Sequence, residues 1–148
     1  MRPPLLIGIG NPARGDDGLG PALVEALQTE PGLEAIAVFQ LQVEDALLLA
    51  DRPAVLFVDA ARPGHAGDGV QLRPISAQPD RAPISHALQP EALLAVARDV
   101  LGQAPPPAAL LAIEGEHFGL GEGLSGVAAA RMPVAQALVR DWLTRAVA

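Results

Sequence analysis

The sequence contains no cysteine and no lysine, and only 3% of its 148 residues are aromatic. Without cysteine there is no disulfide, no Cys-ligated zinc and no thiol nucleophile. With so few aromatics, the core must be filled by Leu, Val, Ile and Ala, which the 50% hydrophobic content supplies. No apolar run reaches the length of a membrane span. The N-terminus lacks a basic stretch followed by a long apolar one and a small-residue cleavage site, so a cytoplasmic protein is expected. The formal charge of −7 argues against a nucleic-acid surface, which needs a basic patch. The length suits one domain, residues 1–148, large enough to bury a real core.

Residues 4–9 form a short, continuous apolar run, as expected for a strand buried on both faces. Leu19, Leu23, Ala26 and Leu27 recur at helical spacing and predict a helix over 18–29. Residues 33–39 read as a second strand and 44–50 as a short helix stopped before Pro53. The third strand, "AVLFV" at 54–58, is followed directly by Asp59. A Gly/Pro loop leads to a further strand at 70–75, which carries Pro74. Beyond a polar loop, the segment from 84 to 102 predicts a helix opening near His86 and ended by Gly102. A strand at 108–113 and a Gly-rich loop precede a last helix with Ala135, Leu138, Val139, Trp142, Leu143 and Ala146 on one stripe. Strands alternating with helices predict an α/β fold, a three-layer α/β/α sandwich around a mainly parallel sheet. In such sheets ligands bind beyond the carboxyl ends of the strands, and Asp16, Asp17 and Asp59 all follow strand ends.

The first of these ends, "GIGNPARGDDGLG", has the strand–loop–helix form of a phosphate cradle. Its third glycine is displaced from the dinucleotide spacing, and two aspartates would repel a pyrophosphate at the helix N-terminus. Helix capping accounts for one aspartate. The other needs a different role, and a hard anionic carboxylate is a natural cation ligand. Asp59 is either a solvated strand-end residue or part of that site. Three histidines, His65, His86 and His117, are available, and the residues alone do not choose among them. Two carboxylates with one imidazole would suit nickel or zinc. A serine hydrolase is disfavoured because no G-x-S-x-G elbow exists, and Ser125 reads more simply as the N-cap of the last helix.

"IGIGNPARGDDGLGPALVEAL" resembles the opening of the hydrogenase maturation proteases, meeting the pattern G-N-x-x-x-G-D-[DE]-G-x-G from Gly10 to Gly20. "FVDAA", "ISHALQPEALL" and "IEGEHFGLGEGLSGVAAA" resemble later segments of that family in the same order. The resemblance implies an endopeptidase that trims the C-terminal extension of the large subunit of a nickel–iron hydrogenase. It implies that nickel arrives already inserted in the precursor, so it belongs to the substrate. By position it puts the metal-contacting groups on Asp17, Asp59 and His86, with Asp16 beside Asp17. Metal-assisted or aspartate-assisted hydrolysis would then rest on Asp17, Asp59 and Asp16. The stretch from Gln40 to Asp45, within "FQLQVEDALLL", lacks the Asp-Gly-Gly segment of many members, and Glu44 or Asp45 would have to substitute.

Two rivals stand beside this reading. Peptidyl-tRNA hydrolases also open with a strand and G-x-G-N-P. They continue into a basic segment with an early histidine, whereas this chain is acidic there and has none before His65. The other rival is a nickel-sensing chaperone that inspects the precursor without cutting it.

Overall fold

The computed structural model describes residues 1–79 and 88–147. Five strands, β1 (Leu5–Ile9), β2 (Glu34–Val38), β3 (Val55–Ala61), β4 (Val70–Ile75) and β5 (Ala108–Glu114), join one sheet in the order β2-β1-β3-β5-β4. All neighbours are parallel except β4, which runs antiparallel to β5 at an edge. The mainly parallel α/β sheet is as the sequence predicts.

Every residue of β1 is buried, the signature of a strand covered on both faces. Helices α1 (Leu19–Ala26) and α3 (Gly126–Ala146) cover one face, where Leu56 and Val58 of β3 pack with Leu23, Val139 and Trp142. Helix α2 (Pro90–Leu101) and a 3₁₀ segment (Val43–Leu49) cover the other, where Val55 and Phe57 meet Leu49, Leu93 and Leu94. Strand alternation sends successive β3 side chains to opposite layers, which makes the three-layer sandwich. Each fully buried Leu or Phe contributes roughly 1.5–3 kcal/mol.

Several boundaries differ from the sequence reading, each for a local reason. β3 runs three residues past its expected end: pairing with β1 stops at Gly8–Val58, but pairing with β5 continues to Ala61–Glu114. Asp59 therefore sits inside the strand, opposite Ala112. The helix expected over 18–29 is preceded by a 3₁₀ turn, Gly15–Gly18, and its α portion ends at Ala26, before Pro31 and Gly32. The segment expected as a short helix at 44–50 is 3₁₀ and ends where Ala50 turns to an extended ψ of 134°. β4 tolerates Pro74 because it is an edge strand, where one side needs no donor. Among the described residues α2 begins at Pro90, and the opening expected near His86 lies outside them; Leu88 forms a bridge with Leu41, and a proline in the first helical turn leaves no donor unpaired. Ser125 caps α3 as expected, its hydroxyl accepting from Ala128 N at 3.1 Å. No described helix is long and apolar enough to cross a membrane.

Candidate active site

The glycines of the first loop set the site by letting backbones touch. A Cβ on Gly8 would lie 2.4 Å from the carbonyl oxygen of Gly20, so β1 and α1 pack backbone against backbone. Gly10 has φ +144°, and a Cβ there would lie 1.9 Å from Asp17 O. This close fit folds the 3₁₀ turn over the carboxyl end of β1 and holds Asp16 and Asp17 at that edge of the sheet.

The two aspartates do different things, and neither caps α1, whose N-cap is Gly18 without a side-chain bond. Asp16 is fully buried and accepts four hydrogen bonds from the β5–α3 loop. Glu116 N, Ser125 N and Ser125 Oγ each donate at 2.7 Å, and His117 N at 3.1 Å. Burial alone would raise its pKa, but these donors together hold it below the ordinary carboxylate value. With its oxygens occupied, Asp16 is not positioned to activate water, which corrects its expected catalytic role. Its work is to bind two loops 100 residues apart.

Asp17 is half-buried, and its Oδ2 accepts from Asn11 N at 2.7 Å. It lines an open cleft of about 290 Å³ with Arg14, Ala60, Arg62 and Phe118. Asp59 lies close by, partly buried, with its pKa pushed up to about 6. Burial is the largest cause, the Ala60 N–H opposes it, and the neighbouring negative charge of Asp17 adds to the rise. Asp59 shares the strand parity of Val55 and Phe57, whose side chains meet α2, whereas Ala60 and Arg62 have the opposite parity and wall the cleft. Asp17 thus serves both sides: it lines the cleft and its charge acts on Asp59.

Of the three histidines, His86 lies outside the described residues. His65 is exposed in its loop, with Nδ1 3.2 Å from Pro63 O, and His117 is exposed beside the Asp16 anchor. Among the described residues no three His, Asp or Glu side chains converge to hold a metal ion. Asp17 and Asp59 alone would supply two ligands of such a set. In the segment from Gln40 to Asp45, the Asp45 carboxylate accepts from Gln42 N at 2.8 Å and Glu44 is exposed. Asp45 is thereby engaged in closing its own turn. Arg14 and Arg62 were not singled out by sequence; the signal was a basic residue in the loop after β1 and another directly after β3.

An acid pair at the carboxyl edge of a parallel sheet, with one member ionising near pH 6, can offer hard oxygen ligands and a general base. No family model matches the chain, and no curated protein matches it. Solved structures do. Hydrogenase maturating endopeptidase HybD from E. coli superposes with a TM-score of 0.76 at 22% identity, over 98% of this chain and 93% of that one. The chain has the fold of the hydrogenase maturation proteases. The [NiFe] hydrogenase maturation protease HycI from Thermococcus kodakarensis gives a TM-score of 0.72 at 21% identity, covering 97% of this chain and 93% of that one. Hydrogenase 2 maturation peptidase from a Thaumarchaeota archaeon gives 0.68 at 22% identity, with 96% and 98% covered.

Proposed function

We propose that this chain is an endopeptidase that removes the C-terminal extension of a nickel-loaded hydrogenase large-subunit precursor in the cytoplasm. The observation that carries the reading is the Asp17–Asp59 pair, with the Asp59 pKa raised to about 6, at the carboxyl edge of a fold shared with named maturation proteases. Nickel enters as part of the substrate, where it can polarise or position the scissile carbonyl. Asp17, Asp59 and His86 would contact it.

Asp59 is the general base of the pair, since a carboxylate presents two oxygens and the one that does not contact nickel can accept a proton. Water attacks the carbonyl carbon as its proton passes to Asp59 Oδ. The C–N bond then breaks, and that proton goes to the departing amine. Asp16 supports this by anchoring the turn that carries Asp17.

The test is incubation of the purified chain with nickel-loaded and nickel-free precursor, followed by intact-mass measurement. Loss of the extension from the loaded form alone is expected. An uncut precursor, with nickel bound stably by the isolated chain, would favour the chaperone instead.

A further inference from the structure

All ten basic residues of this acidic chain are arginines. Of the nine described, five form ion pairs with carboxylates, and Arg2 and Arg131 donate to backbone carbonyls. Only Arg14 and Arg62 make neither kind of contact among the described residues. Those two line the same cleft, beside Asp17. They come from different strand ends, Arg14 from the turn after β1 and Arg62 from the residue after β3, so the fold and not local sequence brings them together. Neither is paired with the acid couple: no described ion pair joins them to Asp17 or Asp59.

We propose that Arg14 and Arg62 form a clamp for a carboxylate of the substrate polypeptide, held in the cleft that Asp17 also lines. A guanidinium presents a rigid fork of donors that matches a carboxylate, and two of them facing one cleft favour a single anion between them. The chain's net charge of −7 repels anions at a distance, so any anionic group accepted near Asp17 requires local positive charge. Phe118 adds an apolar wall against which the stem of the bound residue can lie. The clamp sets which peptide enters and in what register, while the acid couple does the hydrolysis. For its cleavage arm the inference rests on the protease reading above.

Two measurements test it. In the first, Arg14→Gln, Arg62→Gln and the double variant are assayed on nickel-loaded precursor, with Arg140→Gln, an exposed arginine paired to Glu30, as control. The double variant is expected to raise KM about 10-fold with kcat within about twofold, and to flatten the salt dependence of kcat/KM. In the second, Arg Nε–Hε resonances of the intact protein are followed by NMR during titration with a blocked Ala-Ala-Glu-Ala-Ala peptide. Its Gln counterpart is titrated in two forms, blocked and with a free C-terminal carboxylate. Shifts of Arg14 and Arg62 with the Glu peptide assign a side-chain carboxylate, and shifts with the free-terminus peptide assign a chain end. No shift with either, or an unchanged KM in the double variant, overturns the clamp and leaves the protease intact. A wild-type chain that never cuts the precursor, yet shows the arginine shifts, overturns the protease and leaves the carboxylate site.

Discussion

Asp16 and Ser125, 109 positions apart, are joined twice: Ser125 N donates to Oδ1 and Ser125 Oγ to Oδ2, both at 2.7 Å. The same hydroxyl accepts from Ala128 N, so one serine links the turn carrying Asp17 to the start of α3. Removing the carboxylate strands several donors at once. Asp16→Ala is expected to cost about 3–4 kcal/mol in urea unfolding, since buried unpaired donors are penalised individually but not additively. A loss under about 1 kcal/mol would show that the two loops hold without it.

Acid titration follows from the same contacts. The folded pKa of Asp16 lies below the unfolded value of 3.8. Its stabilisation is therefore complete above that value and disappears as the pH falls through the folded pKa. Between pH 5 and pH 2, wild type should lose more stability than Asp16→Asn, measured by denaturant midpoint. Parallel curves would contradict the assignment.

Asp59 has the opposite sign. Its folded pKa of about 6 exceeds the unfolded value of 3.8, so ionisation works against the fold as the pH rises between them. Asp59→Asn should gain on the order of 2 kcal/mol above pH 6 and nothing below pH 4, while losing cleavage. An Asn variant no more stable than wild type at pH 8 would count against the raised ionisation.

Asp17 tests the coupling directly. In Asp17→Asn the Asp59 pKa should fall, because a like charge beside it is gone. Carboxyl-carbon NMR titration measures this without any substrate. Cleavage of nickel-loaded precursor should drop about 100-fold or more. Retained cleavage in both Asp17→Asn and His86→Ala would remove these residues from the site.

Backbone packing under the acid turn is the last test. Gly20→Ala places a methyl 2.6 Å from Ile9 O, with no flexible side chain to yield. A destabilisation of about 2 kcal/mol or more is expected from overpacking. A variant as stable as wild type would mean that β1 and α1 can separate at no cost.

Much of this architecture was legible along the chain because its causes are local. The unbroken apolar runs of β1 and β3 signal burial on both faces, and the stripe from Ala135 to Leu143 signals α3. The cap at Ser125 depends on bonds three residues long, and it too was readable. Distances along the sequence hid the rest. One of the two adjacent aspartates was expected to cap its own helix, but neither does, and the partners of Asp16 lie at Glu116, His117 and Ser125. Asp45 looked available for substrate but closes its own turn.

The sequence by itself determined the α/β layering, the acid-bearing loop and its place at the carboxyl edge, because periodicity and turn residues act over a few positions. Only the tertiary structure decided which aspartate is consumed as an anchor and which stays open. It also decided that the Asp59 pKa is pushed up to about 6 and that Arg14 and Arg62 line one cleft. Hydrogen-bond partners, desolvation and neighbouring charge are properties of the space around a residue, and that space is filled by segments remote in the chain.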